Sequence, residues 1–128
     1  MAKSAKSKAK AKAWKLFSLY IRNRDNWTCY TCGRVVDKYH ADAGHLLSRY
    51  WAGTLFDEIN VHCQCKGCNM LHEIDAEPYK QQFLEEYGEE AYWELYRESK
   101  DVMKRTTQDY LDMAADYKER LEAMGVEI

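Results

Sequence analysis

The chain has 128 residues, 46% hydrophobic and 31% charged, which fits one small domain with accessory segments. No apolar run approaches the ~20 residues of a membrane span and no secretory signal core is visible, so a cytoplasmic protein without membrane contact is expected. The net charge of −2 is segregated, with +7 on residues 1–28, balance on residues 29–72 and −9 on residues 73–128. Such segregation predicts three zones: a basic arm, a neutral centre and an acidic tail.

Residues 1–12 alternate lysine with alanine and serine. With nothing to bury, they are expected to form a flexible or nascently helical arm. Lys8, Lys10 and Lys12, with Lys15, Arg22 and Arg24 beyond them, are candidate phosphate contacts that act by counterion release. Residues 13–24 carry Trp14, Phe17 and Ile21 at helical spacing, a stripe read as core packing.

Between Cys29 and Cys68 the periodicity is short and broken. Val35-Val36 and Tyr39–Leu47 are expected to form a hairpin around Asp37-Lys38, followed by a loop over residues 48–60 containing Gly53. From Cys68 onward the pattern is helical. Pro78 suits a first turn, Gly88 a stop, and Ala91, Tyr92, Leu95, Tyr96 and Val102 a further helical face. Thr106 with Asp109 resembles a capping box, and Gly125 suits a C-terminal stop. Between them Tyr110, Ala114, Tyr117, Leu121 and Met124 form a packing stripe, expected to dock on the domain or to make a homodimer through the C-terminal helices.

Five cysteines in a reducing compartment point to metal before disulfides. Cys29-x-x-Cys32-Gly33 and Cys65-x-x-Cys68 each bring two thiolates to one ion, and together they complete the tetrahedral shell of a structural zinc. Cys63 lies outside this pairing and reads as a small buried residue. Such an ion would supply what the core of so short a segment lacks.

Asp42, His45, Asn60, Asn69 and His72 lie between or just after the cysteine pairs. A carboxylate and an amide oxygen suit Mg²⁺ or Mn²⁺, and a neutral imidazole can deprotonate water. Each residue also has a plainer reading: Asp42 as a turn acid, His45 as a structural histidine, Asn69 as an amide at a helix start. Taken together, the catalytic reading is the better one. The expected fold is α+β, a small zinc-stapled ββα-metal, treble-clef-like core with an N-terminal helix and a helical C-terminal tail. Its expected divisions are 1–12, 13–76 and 77–128.

On these residues the chain resembles the HNH, or ββα-metal, endonucleases with a four-cysteine zinc site. The resemblance implies His45 as general base, Asn60 as the residue that shapes the loop and Asn69 as a ligand of catalytic metal. Asp42-x-x-His45 and Cys65-x-x-Cys68-Asn69 also look like the matching runs of the junction-resolving endonuclease VII of phage T4, which implies Asp42 as the second ligand. His72 is a further candidate contact to metal or phosphate. The chain departs from the usual HNH pattern in having Gly44, not an acid or histidine, directly before the base. A regular strand would turn Asp42 and His45 to opposite sides unless Gly44 bends it.

A closer resemblance covers residues 13–72. Ala13-Trp14, Phe17-Ser18, Arg22-Asn23-Arg24-Asp25, Asp42-Ala43-Gly44-His45, Ser48-Arg49 and Phe56 through Asn60-Val61-His62 look like the lambdoid phage NinG (Rap) recombination proteins. This implies structure-specific cutting of branched DNA, such as Holliday junctions and D-loops, in the cytoplasm of a phage-infected or prophage-carrying host. Arg34, Arg49 and Lys66 are further candidate phosphate contacts. The competing expectation is a non-catalytic zinc-stabilised module that binds DNA.

Overall fold

Alanine and lysine both rank high in helix propensity, and the opening run uses it. In a computed structural model, which describes residues 3–128, α1 spans Ala5–Arg24. Ser4 accepts a hydrogen bond from the Ser7 amide, the N-cap that fixes where the helix starts. Residues 1 and 2 of the expected arm lie outside the described residues; from Ala5 on, the flexible arm is corrected to ordered helix. The physical reason is that Ala9 and Ala13 do have something to bury, at 4% and 0% exposure.

The chain divides into two compact units, Met1–Tyr20 with Lys104–Ile128, and Ile21–Met103. These boundaries differ from the expected 1–12, 13–76 and 77–128. In the first unit, α5 (Thr107–Ala123) is begun by the expected capping box of Thr106 and Asp109. It ends at Gly125, whose φ of +79° and whose hydrogen bonds, with Val126, to the last turn make the left-handed stop. Ala9, Ala13, Leu16 and Phe17 of α1, and Tyr110, Ala114, Tyr117 and Leu121 of α5, are buried. Phe17 meets Tyr117 edge-on at 5.1 Å between ring centroids. The stripe is thus consumed inside the chain and is not a free dimer face; Met124 alone of its five residues is exposed.

In the second unit the sheet has two antiparallel strands, β1 (Ala41–His45) and β2 (Val61–Cys65), with Ala41 opposite Cys65 and His45 opposite Val61. The expected hairpin of Val35-Val36 with β1 does not form. Val35 bridges Thr28, and Val36 donates to the Trp27 carbonyl, so both close the turn around Cys29 and Cys32. β1 pairs instead across the 46–60 loop with a strand buried along its whole length. α2 (Lys66–His72) follows β2 directly. α3 (Glu77–Tyr87) carries Pro78 in its first turn and stops at Gly88, as its residues dictate. α4 runs Glu89–Ser99 and leaves Val102 outside, 84% exposed. Tyr79, Phe83 and Leu95 pack on Leu46, which fixes α3 and α4 against the end of β1.

Candidate functional site

The two cysteine pairs converge. The four sulfurs of Cys29, Cys32, Cys65 and Cys68 all lie within 4.8 Å of one another, the one such cluster of three or more Cys, His or acidic ligand atoms among the described residues. Cys32 Sγ and Cys65 Sγ are 3.9 Å apart, against about 3.8 Å for the edge of a tetrahedron with Zn–S bonds of about 2.3 Å. In each pair the second cysteine's N–H points at the first sulfur, Cys32 to Cys29 at 3.5 Å and Cys68 to Cys65 at 3.4 Å. Burial raises the Cys29 thiol, but the amides of Cys32, Cys65 and Thr31 outweigh it and bring it down to about 7. Burial pushes the Cys68 thiol up, and its hydrogen bond to the Cys65 sulfur and the charge on Cys29 add to it. Four thiolates this close repel one another unless a dication sits between them, so the donor set fits a structural metal with no open position. Cys63 is fully buried and outside the cluster.

The arginine–aspartate pair at the end of α1 anchors this scaffold. Arg24 forms an ion pair with Asp25 at 2.8 Å and donates to the carbonyls of Glu58 and Val61 at 2.7 and 2.9 Å. Asp25 Oδ2 accepts the Cys63 amide at 2.8 Å. Arg24 is therefore a staple on β2 and not the phosphate contact expected of it, because its N–H groups are already spent on backbone and carboxylate. Arg22 lies with its guanidinium 5.3 Å from the Trp27 ring centre. Burial lowers the Arg22 pKa, while the Cys63 thiol and the Asp42 carboxylate act the other way. Lys8, Lys10, Lys12 and Lys15 are exposed on α1.

Asp42 and Asn69 are brought together: Asn69 Nδ2 donates to Asp42 Oδ2 at 3.2 Å. Lys66 Nζ lies 2.8 Å from the other Asp42 oxygen, an ion pair open to solvent and worth at most about 1 kcal/mol. Two hard oxygens are too few for a protein-only cage, but they suit Mg²⁺ or Mn²⁺, which keep several waters and take up substrate phosphate. His72 is turned elsewhere. Its Nε2–H donates to the Leu46 carbonyl at 2.8 Å and its ring lies against Tyr79.

The β1 register is regular through His45, so Asp42 and Gly44 share one face and His45 leaves on the other. Gly44 does not bend the strand; it makes room. A Cβ there would overlap Gln64 Oε1 and stand 2.9 Å from Asn69 Oδ1. Gln64 is fully buried and cannot retreat. Gly44→Ala is therefore expected to cost about 1–3 kcal/mol of stability, seen as a lowered denaturant midpoint, whereas an unchanged midpoint would show that the face is loosely packed.

His45 Nε2–H donates to the Leu55 carbonyl at 3.0 Å, which fixes the tautomer and leaves the lone pair on Nδ1. Burial pushes this imidazole down to about 4; the Leu55 hydrogen bond opposes the shift and the Arg49 charge adds to it. Asn60 is fully buried. Its Oδ1 accepts the Leu47 amide at 2.8 Å, and its Nδ2 donates to the carbonyls of Leu47 and Thr54 at 3.0 and 3.1 Å. It ties together the loop whose Leu55 carbonyl holds His45.

Sequence reasoning missed Gln64, Tyr79 and the buried role of His62. Tyr79 donates to the Gly44 carbonyl at 2.8 Å, and His62 Nδ1–H donates to the Tyr79 oxygen at 2.9 Å. The Tyr30 ring stacks on His62 at 3.8 Å. The available signal was a polar residue at every second position of a strand that also carries a metal ligand. Burial pushes His62 down to about 4, with Arg24 adding to it and Asp25 opposing. His45 and His62 thus bind protons in the unfolded chain, near pH 6.5, before they bind them in the folded one. Stability contributed by keeping them neutral is full above pH 6.5 and is lost as pH falls from there towards 4, up to about 3 kcal/mol each. Thermal melts should show a midpoint that is level above pH 7 and falls below pH 6.5 with metal content unchanged; a midpoint level down to pH 5 would contradict this.

No helix of the structure is long and apolar enough to cross a membrane among the described residues. No solved structure matches the chain. Among curated proteins it is similar to protein ninG of Salmonella phage P22, 32% identical over 105 residues, and of Escherichia phage 933W, 33% identical over 106. Protein ninG of Escherichia phage lambda is 32% identical over 106 residues. These matches take in 80% of this chain but 50–51% of each relative, so the chain spans about half the length of the curated relatives it matches. The family model described as bacteriophage lambda NinG protein matches residues 1–127, and the chain belongs to that NinG family.

Proposed function

We propose that this chain is a divalent-cation-dependent endodeoxyribonuclease of the HNH, ββα-metal kind that cuts branched recombination intermediates such as Holliday junctions, D-loops or flaps. The observation that carries this reading is His45: a half-buried imidazole, neutral at physiological pH and held in one tautomer at the end of β1. On the opposite face of the same strand Asp42 pairs with Asn69 of α2. The usual pattern puts an acid or histidine directly before the base. Strand alternation gives the third residue before it the same face, so Asp42 presents its oxygens there, and the missing side chain of Gly44 leaves the space.

In this reading His45 Nδ1 takes the proton of the attacking water. The water oxygen bonds to phosphorus and the bond to the 3′ oxygen breaks; that oxygen takes a proton from solvent, leaving a 5′ phosphate and a 3′ hydroxyl. Mg²⁺ or Mn²⁺, held by Asp42 and Asn69, would offset the charge that develops on the phosphate and the leaving oxygen. Asn60 keeps the 46–60 loop folded over the base. Arg22 and Arg49 supply positive charge near the site, and the lysines of α1 add phosphate contacts without sequence preference. A non-catalytic DNA-binding module is the second reading, favoured by the Asp42 carboxylate being already engaged by Lys66 and Asn69.

Labelled four-way junction, flap, single-stranded and duplex DNA, each offered with Mg²⁺, Mn²⁺ or neither, separate the two. The nuclease reading expects cation-dependent cutting with branched substrates first. Salt-sensitive binding without cutting on every substrate would leave the DNA-binding module.

A further inference from the structure

Gln64 is the residue opposite Asp42 in the ladder and shares its face. It is fully buried, yet its Oε1 has no hydrogen-bond partner among the described residues. Its Nε2 is anchored by donation to Thr31 Oγ1, in the turn between Cys29 and Cys32, at 2.9 Å. That anchor aims Oε1 across Gly44 at Asn69, whose own Oδ1 crowds the same point above the glycine. Both amide oxygens therefore lie close to that one point, Gln64 Oε1 without a donor, while the Asn69 NH₂ is turned to Asp42. A buried acceptor left unpaired is unfavourable, so a second state that pairs it is favoured.

Turning the Asn69 carboxamide by half a rotation exchanges an oxygen and a nitrogen of nearly equal size. The NH₂ then donates to Gln64 Oε1, and Asn69 Oδ1 takes the place now held by Nδ2, 3.2 Å from Asp42 Oδ2. Two oxygens at that spacing match the edge of an octahedron with bonds of about 2.1 Å, which is about 3.0 Å. In the first orientation the amide closes on the carboxylate; in the second, both residues offer oxygen to a cation.

We propose that Gln64 is a positioning residue that holds the Asn69 carboxamide in its cation-binding orientation, an inference that rests on the cation site of the nuclease reading. In that orientation Thr31, Gln64 and Asn69 form one hydrogen-bonded line from the cysteine cluster to a ligand of the cation. The cluster thereby orients a ligand as well as bracing the fold.

The test is Mn²⁺ binding to the zinc-loaded chain without DNA, read by electron paramagnetic resonance. Wild type should bind Mn²⁺, and Asp42→Ala should abolish binding. Gln64→Met, close in volume, should weaken binding about 10-fold or more with zinc content unchanged. In an Asn69→Asp background, where the ligand has no nitrogen to misplace, Gln64→Met should no longer weaken it. Equal affinity of Gln64→Met and wild type would overturn the positioning role and leave the cation site standing. The same weakening with Asp at 69 would reduce Gln64 to packing and overturn it as well. Mn²⁺ binding untouched by Asp42→Ala would overturn both the cation site and the role built on it. Should Gln64→Met lose its zinc, Thr31→Val removes the anchor of Gln64 instead; it should weaken Mn²⁺ several-fold, and unchanged affinity would overturn the proposal.

Discussion

His45→Ala is expected to slow DNA cutting by about 10²–10⁴-fold, the range spanned by a positioned general base, while leaving affinity for the same DNA within a few-fold. The separation follows from where the side chain sits. His45 is an uncharged group at the pH of the assay, held on the Leu55 carbonyl, so its removal deletes no phosphate-binding charge. Zinc content and the far-ultraviolet spectrum serve as controls, since the same side chain also fills space under the 46–60 loop. Single-turnover cleavage in parallel with a binding titration reads the two effects apart. A parallel loss of binding and cutting would make His45 a structural residue and return the general-base role to open contest.

Loss of the metal at the cysteine cluster should be the largest effect on folding. Cys65→Ser is expected to release the zinc, because Cys65 Sγ both belongs to the cluster and accepts the Cys68 amide at the start of α2. Structural zinc contributes about 10–16 kcal/mol in the smallest zinc domains. The second unit has a further core in Leu46, Tyr79, Phe83 and Leu95, so part of its helix content should survive. Lost with the metal would be the register that sets Asp42 opposite Gln64 and places Asn69. Cys63→Ala is the matched control: also buried but outside the cluster, it should keep about one zinc per chain. Metal analysis beside calorimetric melting checks both; equal zinc loss in the two variants would contradict the four-cysteine assignment.

What the sequence made legible was local chemistry. The two Cys-x-x-Cys pairs, the Thr106–Asp109 box, the Pro78 start and the Gly88 and Gly125 stops each depend on a few neighbouring residues, and each stands where expected. So does the pairing of Asp42 with Asn69, since both are tied to the cysteine frame. What stayed hidden depends on distant partners. Asp37 and His40 hold a turn of their own at 2.8 Å, and only the buried β2 strand decides what β1 pairs with. Ala9 and Ala13 look featureless until the fold shows them buried. Arg24 reads as a phosphate contact until the carbonyls of Glu58 and Val61 claim it. Gln64 shows in the sequence only as a polar residue of a strand, because its meaning lies in a glycine near the ladder partner and an asparagine on the next helix.

The most direct test of the central claim is a cation titration of cutting on an end-labelled four-way junction, using zinc-loaded wild-type chain in excess over DNA. The nuclease reading expects no product without added cation, strand cleavage that saturates with Mg²⁺ or Mn²⁺, and product ends bearing a 5′ phosphate and a 3′ hydroxyl. A junction that is bound in a salt-sensitive way but stays intact at every Mg²⁺ and Mn²⁺ concentration would contradict it.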